Sequence, residues 1–338
     1  MNEQLAAALS AALDRRSGPG HRVENLTRLS GGASRETWRV VVADAAGDRR
    51  TVILKRDPPE AAGPAGGVDS SLGVDRRTEH AAFQAAAGAG VPVPRTLFLA
   101  EPEDRLGDGF VMEAIEGETI ARKILREPEF ADARPLLARQ CGAAAARIHA
   151  IDPASLPGLK RLDAEAELAI YRRLLDRFDP PQPGFEFGLR WLKRHMPENR
   201  PETVVHGDFR NGNIIVGPDG LRAVLDWELA HIGDPMSDLG WICVRSWRYG
   251  ADQPVGGFGT REDLFAAYEE AGGGPVDPAV VHYWEVFGTL RWGVMCMMMG
   301  FGHLDGAKRS VEMAAIGRRS AETEYDFLRL IQDSETKP

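Results

Sequence analysis

One stretch constrains this 338-residue chain more than any other: residues 204–241, VVHGDFRNGNIIVGPDGLRAVLDWELAHIGDPMSDLGW. It sets three oxygen-bearing side chains at spacings governed by turns. Asp208 and Asn213 stand five residues apart in a loop that contains Gly212. Two short apolar runs follow, 213–216 and 222–225, joined by Gly217-Pro218-Asp219-Gly220, whose residues favour a tight reversal. A hairpin of that length returns Asp226 beside the loop. Asp, Asn and Gly also suit an Asx-type turn with no chemistry at all. Asp226, however, follows Ala223-Val224-Leu225 and precedes Trp227, so a buried carboxylate that requires a ligand is expected there.

Phosphoryl transfer calls for this set. It needs a carboxylate to orient and deprotonate the acceptor hydroxyl, and hard oxygen ligands for a magnesium ion that bridges the phosphates. Asp208 suits the first task, Asn213 and Asp226 the second. The spacing from Asp208 to Asn213 is that of the loop H-R-D-x-x-x-x-N.

HGDFRNGN followed by LDWELAHIGDPMSDLGW resembles the aminoglycoside phosphotransferase and choline kinase group. More narrowly, it resembles the kinase-like domains fused to, or encoded beside, acyl-CoA dehydrogenases. The resemblance runs over nearly the whole chain. It implies an α+β, bilobal protein-kinase-like fold with an antiparallel β-rich front lobe and a mainly helical back lobe, using ATP and Mg2+. Lys55 in TVILKRD matches the third-strand lysine that holds the α- and β-phosphates, and Glu79 in DRRTEH the helix glutamate that pairs with it. An ordinary surface lysine and helix-face glutamate are the alternative. GFVMEAIEGE resembles the hinge whose backbone reads adenine, which singles out Glu113 and Ile115. SGGASRETW departs from a full G-x-G-x-x-G, leaving Gly32, Ala33 and Ser34 to cover the phosphates; Ser34 would bond a phosphate oxygen or cap a turn. Asp-Trp-Glu in place of Asp-Phe-Gly points to the small-molecule branch. Arg210, where many protein kinases carry a lysine, is expected to neutralise the transferring group.

The remaining pattern fits two lobes, 1–113 and 114–338. An amphipathic N-terminal helix precedes strands at 23–29, 37–42, 51–55, 96–100 and 109–113, with a helix at 74–87 and a Pro/Gly/Ala-rich loop at 58–71. Helical periods then dominate, at 134–151, 165–178, 261–271, 280–299 and 307–332. His206 is expected to brace the loop, Asp238 to cap a helix beginning near Leu239 and bond loop amides, and His149 to sit on a core helix face. Glu228 could assist a metal or pair with a cation. The Trp- and Met-rich stretch 283–301 is either core or pocket lining, with Trp284, Arg291, Trp292 and Met295 as lining candidates.

Forty-one basic against fifty acidic residues leave a net charge of −9, which argues against nucleic acid or an anionic membrane as partner. Three scattered cysteines make neither a disulfide framework nor a zinc site, and Glu3 and Asp14 interrupt any leader-like run, so a cytoplasmic enzyme is expected. The partner would be a small hydroxylated metabolite. After Asp238 the chain is aromatic and Met-rich, with Arg245, Arg248 and Arg291, which favours a partly apolar acceptor such as a hydroxyacyl-CoA-like compound. An aminoglycoside 3'-type phosphotransferase, a nucleotide-binding pseudokinase scaffold and a metal-dependent hydrolase built on His206 and Asp208 are the rivals. ATP against GTP, and the oligomeric state, stay open.

Overall fold

The computed structural model describes residues 3–29, 36–57, 73–178, 181–198, 202–306 and 309–336. Gly32, Ala33, Ser34 and the 58–71 loop lie outside them. The front part contains α1 (Glu3–Ser17), β1 (Arg22–Leu29), β2 (Glu36–Ala43), β3 (Arg49–Asp57), α2 (Arg76–Gly88), β4 (Thr96–Leu99) and β5 (Asp108–Glu113). Its five strands form one antiparallel sheet in the order β1-β2-β3-β5-β4.

Strand alternation decides which residues each face presents. Val52, Leu54 and Val111 join the core under α1, which contributes Leu5, Leu9 and Leu13 at helical spacing. Ile53, Phe110 and Met112 point the other way, into the core under α2. Lys55 pairs with Phe110 in register and shares that face, so the strand delivers its ammonium toward α2. Asp75 caps α2 by accepting from the Thr78 amide, and Phe83 packs its ring on Phe110 and Trp227. The helix therefore begins two residues later than the sequence pattern suggests.

The back part holds α3 (Ala121–Arg126), α4 (Arg134–His149), α5 (Ala164–Leu175), α6 (Pro183–Arg194), β6 (Thr203–Val205), β7 (Ile214–Gly217), β8 (Gly220–Val224) and β9 (His231–Gly233). It ends with α7 (Met236–Cys243), α8 (Arg261–Glu270), α9 (Pro278–Leu304), α10 (Val311–Gly317) and α11 (Ser320–Thr336). The α+β bilobal arrangement expected from the sequence is present. Two helix expectations are corrected. The single helix at 307–332 is two, because α10 ends where Gly317 packs against Gly300 of α9 and the chain must turn away. Helix α6 went unforeseen: Pro183 starts it, and Phe185, Leu189 and Leu192 form its buried face. Among the described residues no helix is long and apolar enough to cross a membrane.

Candidate active site

The 206–213 loop connects β6 to β7 and makes a sharp first turn. Gly207 has φ +77°, and a Cβ there would collide with the Leu229 carbonyl oxygen, so only glycine fits. The Asp238 carboxylate holds the turn from below. Its Oδ2 accepts from the His206 amide at 2.7 Å and its Oδ1 from the Gly207 amide at 2.9 Å. His149 Nε2 lies 3.1 Å from the same Oδ2, with Tyr268 Oη 2.8 Å from its Nδ1. The loop-amide bonds expected of Asp238 are present, but the helix cap is not. Helix α7 starts at Met236 after Pro235, so Asp238 lies inside its first turn.

His206 is fully buried. Its Nδ1 accepts from the Asp208 amide at 3.1 Å, so Nε2 carries the proton and donates to the Leu225 carbonyl at 2.8 Å. Burial pushes this imidazole below its ordinary pKa despite the carboxylates nearby, which keeps it neutral. With both nitrogens engaged, it has no lone pair to offer a metal. This counts against the hydrolase alternative.

Asp208 is only partly buried, and its carboxylate meets three donors. Trp241 Nε1 lies 2.8 Å and Arg210 Nε 3.0 Å from Oδ1, while Asn213 Nδ2 donates to Oδ2. Asn213 Nδ2 also donates to the Asp208 carbonyl at 3.0 Å, which fixes the amide and leaves its Oδ1 free of that contact. Arg210 stacks over Trp247, 4.3 Å from the ring centre, and burial works against its charge while Asp208 holds its pKa above the ordinary value.

The hairpin of β7 and β8 closes as the sequence implies. The Leu225 amide donates to the Asn213 carbonyl at 2.8 Å, which sets Asp226 next to the loop. Asp226 has φ +66°, a left-handed conformation that Asp tolerates better than most residues. The expectation of a buried carboxylate is corrected: its side chain keeps 38% exposure, since it faces the cleft between the sheet and the loop. Lys55 Nζ lies 3.0 Å from Asp226 Oδ1 and also pairs with Glu79, which is wholly buried. A surface role for Lys55 and Glu79 is thereby excluded.

Burial lowers the Lys55 pKa, but Asp226 and Glu79 outweigh it and hold the ammonium above its ordinary value. Burial likewise raises Glu79 and Asp226, and the facing Lys55 more than reverses it, taking Asp226 down to about 2. All three groups are therefore charged at neutral pH. Arg76 completes the cluster. It is buried, pairs with Glu79 three residues on, and reaches back to Asp57 of β3 at 3.0 Å, so it ties α2 to the strand that carries Lys55. Its i,i+3 spacing from Glu79 was the available sequence signal.

The donor chemistry fits magnesium. Asn213 Oδ1 and the Asp226 carboxylate are hard oxygen ligands, too few to enclose an ion alone but suited to one that also takes phosphate oxygens and water. Among the described residues no group of three or more His, Cys, Asp or Glu side chains could hold a metal.

Other candidates are placed differently. Glu113 accepts from the Arg95 amide at 2.9 Å through its side chain, and its own amide donates to the Arg95 carbonyl at 3.0 Å. Among the described residues the Ile115 amide has no backbone partner. The Glu228 carbonyl accepts from the Val74 amide at 2.9 Å, at the foot of α2. Arg291 and Trp284 are buried, and line a small internal cavity beneath the loop together with Gly207, Asp238 and Trp241. Arg291 donates to the Gly207 carbonyl at 2.7 Å from beneath the loop, and Trp284 Nε1 donates to Asp234 at 2.9 Å. Trp292 is half-buried against Trp247, with ring centres 4.8 Å apart, and Met295 is also half-buried.

A two-lobed α+β fold with this arrangement between sheet and hairpin is the fold of the protein-kinase-like phosphotransferases. The chain belongs to the phosphotransferase enzyme family, whose model matches residues 25–282. Among curated proteins, acyl-CoA dehydrogenase family member 10 of Mus musculus is 28% identical over 235 residues, 65% of this chain and 20% of that protein. Family member 11 of Homo sapiens is 25% identical over 301 residues, 84% of this chain and 36% of that protein. The chain thus spans well under half the length of these relatives. Among solved structures, a proposed aminoglycoside phosphotransferase from Ralstonia eutropha superposes with a TM-score of 0.71 at 20% identity, covering 96% of this chain and 98% of that one. A choline/ethanolamine kinase family protein from Mesorhizobium loti gives 0.62 at 21%, covering 97% and 94%. An aminoglycoside 2'-phosphotransferase-IIIa, solved as its GDP complex, gives 0.63 at 13%, covering 95% and 99%. At these identities the structures establish the fold alone.

Proposed function

We propose that this chain transfers the γ-phosphoryl group of ATP to a hydroxyl of a small metabolite. One observation carries the reading: Asp208, Asn213, Asp226 and Lys55 converge from a loop, a hairpin and the facing sheet. Asn213 and Asp226 would hold magnesium, which when bound offsets the phosphate charge. Lys55, steadied by Glu79, would hold the phosphates. The backbone of Glu113 and Ile115 would read the base, and Gly32, Ala33 and Ser34 would cover the phosphates. Asp208 takes the proton of the acceptor hydroxyl as its oxygen bonds the γ-phosphorus. The bond from that phosphorus to the bridging oxygen breaks, and its electron pair leaves on ADP. Arg210 stands next to Asp208, in reach of the charge on the transferring group.

The surroundings of Asp208 favour a partly apolar acceptor over a polycation. Trp241, Trp247 and Trp292 form a continuous ring cluster. Glu285 is committed to Arg248 at 2.9 Å and Arg261 at 2.6 Å, whereas Asp326 has only a 3.7 Å contact with Arg245 and a buried Oδ2 without a hydrogen-bond partner among the described residues. An aminoglycoside acceptor would want several carboxylates free. A hydroxyacyl thioester fits, and the relatives' designation as acyl-CoA dehydrogenases supports that class.

The test is an acceptor panel with ATP and magnesium, using Asp208→Asn as the blank. Transfer to 3-hydroxybutyryl-CoA or a similar ester is the expected result. Efficient phosphorylation of kanamycin alone would overturn the acceptor class, and magnesium-dependent ATP binding with no transfer to any acceptor would favour a scaffold.

A further inference from the structure

A carboxylate offers about four lone-pair positions, two on each oxygen. At Asp208 the two on Oδ1 are taken by Trp241 Nε1 at 2.8 Å and Arg210 Nε at 3.0 Å, while Asn213 takes one on Oδ2. We propose that Trp241 is a positioning residue for phosphoryl transfer: its indole N–H, with Arg210, saturates Oδ1 and leaves Oδ2 as the oxygen that receives the acceptor's proton. The inference rests on the phosphotransfer reading above.

The indole is held as a positioning group should be. It is 3% exposed, wedged between the Arg291 guanidinium 4.4 Å from one of its rings and Trp247 at 5.1 Å. Gly288 of α9 admits it, since a Cβ there would lie 2.8 Å from Trp241 Cε3. Arg291 also donates to the Gly207 carbonyl at 2.7 Å, so one cation fixes both the indole and the loop it serves. Trp241 lies three residues after Asp238, on the same face of α7. That helix thus holds the backbone before Asp208 through one side chain and the carboxylate itself through another. A carboxylate held in one rotamer presents its open lone pair in a fixed direction, and proton acceptance depends on that alignment.

Trp241→Phe removes the N–H and keeps the ring against Arg291 and Trp247. With 3-hydroxybutyryl-CoA as acceptor, or water in magnesium-ATP hydrolysis, kcat should fall about ten- to hundredfold while KM for ATP stays within about twofold. In spectra of 15N-labelled protein, which has seven tryptophans, the indole signal lost in this variant should be the one that moves most in Asp208→Asn. Should the Phe variant not fold, the signals of wild type and Asp208→Asn decide: one indole must shift beyond the rest. A Phe variant with wild-type kcat, or indole signals that ignore Asp208→Asn, would overturn the Trp241 role while leaving phosphotransfer intact. A wild-type chain that moves no phosphoryl group to any acceptor or to water would overturn the functional reading and this inference with it.

Discussion

Replacing Asp238 by Asn changes one oxygen for an NH2 group in a site with no room to rearrange. The carboxylate is 1% exposed, with the His206 amide and His149 on one oxygen and the Gly207 amide on the other. Whichever way the new amide lies, its NH2 faces a donor, so at least one buried N–H loses its acceptor, at about 1–3 kcal/mol. The surviving bonds lose their charge assistance as well, which brings the expected cost to about 2–4 kcal/mol. Urea unfolding at pH 7 measures it directly. Because Asp208 follows the displaced turn, kcat should fall about a hundredfold for a shift of an ångström. The pH dependence has a definite sign. Burial raises the Asp238 pKa, but His149 and the loop more than offset it, and the folded value lies below the ordinary one. The stabilisation is therefore complete above about pH 4, the unfolded value, and is lost as pH falls through the folded one, so the wild type should converge on the variant in acid. A variant within about 0.5 kcal/mol of wild type at pH 7, or a gap that widens on acidification, would refute the argument.

Three further outcomes follow from the same geometry. Arg76→Leu should cost about 2–4 kcal/mol in urea unfolding and raise KM for ATP, because Glu79 and Asp57 lose the cation that ties α2 to β3. Asp104→Asn, which breaks the contacts of a buried carboxylate with Arg15 and Arg16, should lower stability by about 2 kcal/mol at pH 7 and leave activity unchanged, since it anchors α1 on the far side of the sheet. Trp292→Ala should weaken acceptor binding more than it lowers the melting temperature; an effect on stability alone would place Trp292 in the core and out of the acceptor site.

The site's main features were legible because turn chemistry is local. Gly207, Gly212 and the 217–220 reversal dictate where the chain bends, and the hairpin then fixes Asp226 beside Asn213. Lys55 and its partner Glu79 were readable from the family resemblance, and strand alternation explains why the sheet delivers Lys55 toward α2. What stayed hidden depends on packing between distant segments. Trp241 and Arg291 reach the 206–213 loop only once α7 and α9 pack together, and nothing in their immediate sequence marks them as neighbours of Asp208. Arg291 in an apolar run reads equally well as a pocket cation. The exposure of Asp226 escaped for a related reason: Ala223-Val224-Leu225 report a buried strand, whereas the left-handed turn after it opens toward the cleft. Helix α6 was obscured by the prolines that begin it.

Calorimetric titration of ATP with and without magnesium tests most directly whether Lys55, Asn213 and Asp226 form one nucleotide–metal site. Wild type and Asp208→Asn should both bind ATP more tightly when magnesium is added, Asp226→Asn should lose that increment, and Lys55→Met should bind weakly in either condition. Equal affinity with and without the metal in wild type, or an increment that survives Asp226→Asn, would contradict the assignment.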